Sequence, residues 1–275
     1  MINLKELSKM LELEGIKHRP MTNGNRAGLA IGDKTVMPVV YADRYDSIEE
    51  ALKAAKDLND MSEPLFAEVL ADRVTDPEYI KDHARLGIRP QADDGAMTQK
   101  YLDLELYVYV DLDATDQNRS MFSVHPEHIE MLGITWEELL QIATENMDYT
   151  AKTLIQVMKE ILIEEGCPEY MVDMMTPKQE CPEMYVISTD NRFRGASALA
   201  VTNELYELAD LLDSDLIILP SSIHEIIVVP ADNFDNAEKL REMVTEINST
   251  EVEENEKLSD NVYRFSRYSG EVTII

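Results

Sequence analysis

His224 and Glu225 are the only polar pair inside two aliphatic runs, Leu216-Ile217-Ile218-Leu219 and Ile226-Ile227-Val228-Val229, which are separated by Pro220-Ser221-Ser222. On a strand, His224 shares a face with Ser222, Ile226 and Val228, while Glu225 shares the other with Ile223 and Ile227. Neighbours on a strand point apart, so these two cannot serve each other as acid and base. A histidine at the mouth of a buried strand can act as a general base or a pH-sensitive switch. Its more ordinary place is hydrogen-bonded in the preceding turn. Ser221, Ser222, His224 and Glu225 form the candidate polar site.

Asn191-Arg192-Phe193-Arg194-Gly195 leads into a helical pattern and resembles an anion site, with Arg192 and Arg194 beside the N–H groups of a helix start. It lacks the glycine spacing of a phosphate-binding loop, and a surface turn is the simpler reading. His125, Glu127 and His128 cluster at another helix start. Two histidines three apart can share a face, but spacing identifies no third ligand, so a helix-terminus role is favoured and neither a metal nor a cofactor is expected. Tyr263, Phe265 and Tyr268 alternate with Arg264 and Arg267, a pattern that can stack bases or form one packed face of a strand. Cys167 and Cys181 are the only cysteines, which suits a reducing cytosol. No Gly-x-Ser-x-Gly elbow occurs, and no nucleophile with a base is legible.

Charge is the sharpest feature. There are 54 Asp and Glu against 25 Lys and Arg, a formal net charge of −29. Such a field repels nucleic-acid backbones and anionic membranes and attracts basic proteins. No Lys or Arg falls between Arg194 and Lys239, and Glu204, Glu207, Asp210 and Asp213 recur every third residue, a candidate acidic interaction surface. A further acidic run spans Glu246 to Glu256. A solvated face is the bland account of both, and a docking surface for a basic partner is the functional one.

The elements that position these residues follow from periodicity. Helices are expected from Leu4 to a stop at Gly15, after the capping boxes at Ser47 and Thr135, over Leu65–Ala71, from Pro77, over Leu154–Ile163, as one long helix carrying Leu199, Leu205, Leu208, Ala209 and Leu212 after a turn at Asn191–Gly195, and from Phe234 to Ile247. Strands are expected around Gly28–Ile31, Val36–Tyr41, Tyr101–Leu112, Phe122–Val124 and Met184–Ile187, in the paired aliphatic runs, and near the C-terminus. Arg89–Gly95 reads as a loop and Met171–Met175 as a connection. Strands and helices interleave without regular βαβ alternation, so the class is α+β with a mostly antiparallel sheet flanked by amphipathic helices. A single domain over residues 1–275 is expected, with a division into sublobes 1–118 and 119–275. No apolar run reaches the roughly 20 residues of a membrane span.

The strings Ile218–Ile227, Met184–Ile187, Gly195–Ala198, Met243–Asn248 and Leu258–Tyr263 resemble a bacterial domain-of-unknown-function family, number fifty-six eighty-eight. The resemblance is strongest from about residue 120 onward, looser over Met21–Tyr45, and weakest over 76–120. It implies a bacterial cytoplasmic setting and a mobile-element role, and it brings no activity, cofactor or catalytic residue. Two readings follow. One is a non-enzymatic acidic interaction or regulatory protein that inhibits a basic nucleic-acid-binding partner. The other is a small-molecule-binding protein or hydrolase with a site near His224 and the Arg192/Arg194 turn. The sequence sets no oligomeric state.

Overall fold

A computed structural model describes residues 2–23, 26–32, 39–61, 72–115, 118–176, 184–220, 222–233, 237–250 and 252–275. Every strand pairing described is antiparallel, and the class is α+β as the patterns predict.

The first sheet joins β1 (His18–Asn23), β2 (Arg26–Ile31) and β3 (Val39–Tyr41). Against it lie α1 (Leu4–Leu13) and α2 (Ile48–Met61), the latter opened by Glu50 N–H donating to Ser47 Oγ. Among the described residues their shared core draws on residues 2–58, with Leu7, Leu11, Val40, Ala51 and Ala55 buried. The expected helix at 65–71 and the first part of the strand expected over Val36–Tyr41 lie outside the described residues.

After α3 (Pro77–His83), capped by the Asp76 carboxylate, comes the second sheet. Its axis is β6 (Leu104–Thr115), with β4 (Ala84–Arg89) along one edge and β5 (Thr98–Tyr101) and β7 (Asn118–Ser123) end to end along the other. Strand β4 escapes the sequence patterns because Gly87 interrupts it. Gly87 faces Tyr107, and a Cβ there would stand 2.4 Å from the tyrosine ring. Gly87→Ala is therefore expected to cost about 2 kcal/mol by forcing that ring aside, measurable by urea denaturation. On this sheet's outer flank lie α4 (Pro126–Leu132) and α5 (Trp136–Glu145), whose Leu132, Leu139 and Ala143 bury against Val108, Val110 and Leu112.

The third sheet has the order β13-β12-β10-β11-β9-β8, built from β8 (Tyr149–Thr153), β9 (Tyr185–Thr189), β10 (Leu216–Leu219), β11 (Ile226–Pro230), β12 (Tyr263–Phe265) and β13 (Val272–Ile274). The paired aliphatic strands are central, as both-faced apolarity requires. Leu216, Ile218, Ile226 and Val228 face Leu205, Leu208 and Ala209 of α8 (Asn203–Leu212). Ile217 and Val229 face Leu240 and Val244 of α9 (Ala237–Thr250) on the opposite side. The first of these cores also takes Leu86, Ile88, Leu104 and Leu106, so residues 84–112 pack with the C-terminal part of the chain.

Three expectations are corrected. The long helix expected to carry Leu199 through Leu212 is two pieces, a 3-10 turn Gly195–Leu199 and then α8. Ser197 Oγ is drawn to the carbonyls of Leu86 and Arg194, and β-branched Val201-Thr202 follows, which interrupts the helical ladder. Met171–Met175 is no connection but most of α7 (Glu169–Met175), which follows α6 (Leu154–Glu164) and starts at Pro168, a residue suited to a helix entrance. Finally, β11 begins at Ile226, so His224 and Glu225 lie in the turn before the strand.

Candidate functional site

The chain leaves β9 at Thr189 and reverses through a tight turn in which Arg192 (φ 51°) and Arg194 (φ 53°) are both left-handed. That conformation costs a non-glycine residue roughly 1–2 kcal/mol. The cost is offset locally by Phe193 N–H, which donates to Thr189 Oγ1 and Asn191 Oδ1. The turn delivers Arg194 to the loop between β10 and β11. Arg194 N–H donates to His224 Nδ1 at 3.2 Å. Gly195 N–H and Ser188 Oγ both donate to the His224 carbonyl, at 2.9 and 2.7 Å. Ala196 N–H reaches the Ile223 carbonyl, and His224 N–H donates to Ser222 Oγ at 3.0 Å.

With Nδ1 accepting, the proton of the neutral imidazole sits on Nε2. That nitrogen stands 3.6 Å from Glu256 Oε1, beyond a hydrogen bond but in place for an ion pair once the ring is charged. The ring also leans on Phe193 at 5.4 Å between centroids. The structure thus brings His224, Ser222 and the Arg194 turn together. Glu225 is partly buried beside them: burial raises its carboxyl pKa, with Arg192 opposing. Ser221 lies outside the described residues.

The two arginines part company. Arg192 pairs with Glu164 on α6. Arg194 turns inward, donates to Tyr107 Oη, and lies 5.7 Å from the Tyr109 ring and 5.4 Å from that of Phe193. The three backbone N–H groups that would receive an anion, those of Arg194, Gly195 and Ala196, are spent on the β10–β11 loop. Beside Arg192, among the described residues, lies a cavity of about 20 Å³, lined by Lys152, Val157, Glu160, Val186 and Asp190 among others. That is room for roughly one water. Within it Lys152 already pairs with Glu160.

Beneath the turn lies a network that sequence reading missed. Alternation along β6 sends Glu105, Tyr107 and Tyr109 to one face, opposite the aliphatic residues. Arg89 donates to Asp94 through both terminal nitrogens and to Glu105 through Nε, at 2.6, 2.9 and 2.8 Å, with its guanidinium 4.6 Å over Tyr107. Tyr107 therefore lies between Arg89 and Arg194. Burial works to lower the Arg89 pKa, and its two carboxylates more than reverse this. Arg89 in turn holds the Asp94 carboxyl below its ordinary value. Nearby, Tyr149 Oη and buried Ser197 Oγ share a hydrogen bond, and burial pushes the Tyr149 phenol well up.

A second missed centre is Asp103. Its carboxylate accepts from Ser259 Oγ at 2.8 Å, Asn261 Nδ2 at 3.0 Å and Tyr263 Oη at 2.9 Å. Burial works to raise this carboxyl, and the three donors together bring it below its ordinary value. Asn248 of α9 reaches the same stretch, donating to Ser259 O and Asp260 Oδ1.

At the other candidates, His125 N–H donates to His128 Nδ1 at 2.9 Å, and burial lowers the His128 pKa. Among the described residues no group of three or more His, Cys, Asp and Glu is placed to hold a metal. Cys167 is a free thiol, and Cys181 lies outside the described residues. Tyr263 and Phe265 are core residues while Tyr268 is fully out, so the three do not share a stacking face.

The acidic stripe runs along α8. Asp210 and Asp213 both hold Arg267, with side chains 73% and 88% exposed, and Asp215 holds Arg264 and the Arg267 N–H. Glu207 is exposed, whereas Glu204 is half-buried, and burial raises its pKa, with one carboxylate oxygen lacking a hydrogen bond. A folded-state pKa above the unfolded one means that stability falls as pH rises through the folded value. Glu204→Gln is thus expected to raise the melting temperature at pH 7, with the gain vanishing below about pH 4, where the wild-type carboxyl is neutral in both states.

Antiparallel α+β layers, joined at the hydrogen-bonded Arg194–His224 turn, define the class of protein. Residues 94–267 match the family of unknown function DUF5688, and the chain belongs to that family. The matched span begins ahead of β5 and so takes in Asp94, Asp103, Glu105 and Tyr107. No curated protein and no solved structure matches the chain. No helix among the described residues is long and apolar enough to cross a membrane.

Proposed function

We propose that this chain is a non-enzymatic cytoplasmic interaction protein that engages a basic protein through its acidic surface, in the manner of a mobile-element regulator that blocks a nucleic-acid-binding partner. The observation that carries this reading is the exposed stripe Glu207, Asp210 and Asp213 on a chain of net charge −29. Its countercharge is an exposed ion pair to Arg267, which contributes little and is readily exchanged for a partner's cations. The alternative, a small-molecule or hydrolytic site at His224, is less well supported. The turn's backbone donors are spent on the β10–β11 loop, and the cavity described beside Arg192, about 20 Å³, is too small for a metabolite.

The test is affinity capture by the tagged chain from its native cytosol at low and high salt, beside the variant Glu207→Lys/Asp210→Lys. A basic partner should be recovered at low salt, with binding about tenfold or more weaker at high salt and in the variant. Recovery of the same partners under all three conditions would refute the acidic-surface reading.

A further inference from the structure

Helices α6 and α7 carry seven exposed large apolar side chains between residues 158 and 175, and neighbouring apolar side chains left exposed mark a binding surface. On α7, Tyr170, Met171, Met174 and Met175 fall on one face at helical spacing, and Tyr170, Met174 and Met175 are 72%, 83% and 60% exposed. Val172 and Thr176 occupy the opposite, buried face. On α6, Met158, Ile161 and Ile163 are exposed as well. The two helices pack together and are tied by Lys159 to Asp173. Folding alone gives no reason for methionines there, because an exposed helix position is served equally well by Lys, Glu or Gln. Methionine's flexible, polarizable side chain suits a surface that moulds to another.

The surroundings of this face restrict what can cover it. Over residues 154–176 the chain carries Glu160, Glu164, Glu165, Glu169 and Asp173 against Lys159 alone. Three of these acids hold a local cation in an exposed pair: Glu160 with Lys152, Glu164 with Arg192, and Asp173 with Lys159. Such pairs contribute little and exchange easily. A second copy of the chain would bring the same acidic rim against this one, and an anionic bilayer would repel it likewise. The complementary shape is an apolar stripe bordered by Lys and Arg, which is what a basic amphipathic helix presents.

We infer that the Met-rich face of α6 and α7 seats a basic amphipathic helix of a partner protein. This rests on the acidic-interaction reading above and adds to it the form of the partner's contact. It also adds a location. Val157 of α6 and Val186 of β9 line one cavity, and Val186 pairs with Ile227, two residues from Val229 of the α9-facing side. The face is therefore on the opposite side of the six-stranded sheet from the α8 stripe, and the two surfaces can be altered separately.

The experiment uses the full chain and two labelled Leu/Lys peptides of about five helical turns, one amphipathic and one of the same composition scrambled, with binding read by fluorescence anisotropy. The amphipathic peptide should bind at least about tenfold more tightly than the scrambled one, and Met174→Ser/Met175→Ser should remove that preference. Because both methionines are exposed, the variant should keep the wild-type melting temperature, and Glu207→Lys/Asp210→Lys should keep the preference. Equal binding of both peptides, unaltered by the methionine variant, would overturn the docking inference while leaving the acidic-surface reading intact. Binding of neither peptide at low salt would overturn both. Preference lost in the α8 variant but kept in the methionine variant would move the site to the stripe. A wild-type dimer in sedimentation that the methionine variant dissociates would make the face a self-contact instead.

Discussion

Arg89→Met is expected to lower the unfolding free energy by about 3–5 kcal/mol, the usual consequence of removing one partner from a buried ion network. Asp94 and Glu105 would stay behind with side chains 16% and 9% exposed and no cation between them. The carboxylates would then either remain charged at a desolvation penalty or take up protons, and both weaken the fold at pH 7. Tyr107 would also lose the guanidinium over its ring, and with it part of the support for Arg194. Urea denaturation measures the loss. Arg89→Met/Asp94→Leu/Glu105→Leu separates the causes, since an apolar replacement of the whole network should recover most of the stability. A loss below about 1 kcal/mol for the single variant would show that water reaches this network and screens it.

Asp103→Ala is expected to cost about 3 kcal/mol, because it strands three donors at once. Tyr263 is the most serious of them, being fully buried, whereas Ser259 and Asn261 retain some access to water. The loss should depend on pH with a definite sign. Asp103 has a folded-state pKa below the unfolded one, so its contribution is complete above the unfolded carboxyl range near pH 4 and disappears as pH falls through the folded value. Wild type and variant should therefore converge in strongly acidic urea titrations and separate above about pH 4. Parallel curves at all pH values would mean that the carboxylate is not what holds this contact.

How much of this was legible depends on where each residue's partner lies. The β10–β11 pair and its central position were readable because aliphatic runs flanking Pro220 carry their own explanation. So were the capping box at Thr135 and the helix after it, where donor and acceptor are three residues apart. The beginning of β11 was misjudged because His224 has its backbone bound from Ser188 and Gly195, some thirty residues upstream in sequence. Asp103 was invisible for the same reason, its donors lying at 259–263. Arg89 and Glu105 were closer to hand. The string Leu104-Glu105-Leu106-Tyr107-Val108-Tyr109-Val110-Asp111 alternates without a break, and Arg89 stands opposite Glu105 in register. What that string conceals is that its polar face is buried too, because the cover comes from the Arg194 turn. Three of the strings that carry the family likeness meet in space: Ala196 bonds Ile223, Ile223 bonds Glu256, and the residues just beyond bond Asp103. They mark a packing junction, which explains a likeness without a catalytic signature.

The separation of cores has a consequence for the protein as it leaves the ribosome. Among the described residues the first core is built from residues 2–58, from contacts between near neighbours in sequence, and such units form early. The largest core requires Leu86 and Ile88 to meet Tyr263 and Phe265, so it cannot close until nearly the whole chain has emerged. During synthesis the aliphatic β10 and β11 are thus made before β12, which pairs with β10 from Leu216 to Ile218, exists. The dense negative charge around them, with no Lys or Arg from 195 to 238, keeps nascent copies apart while they wait.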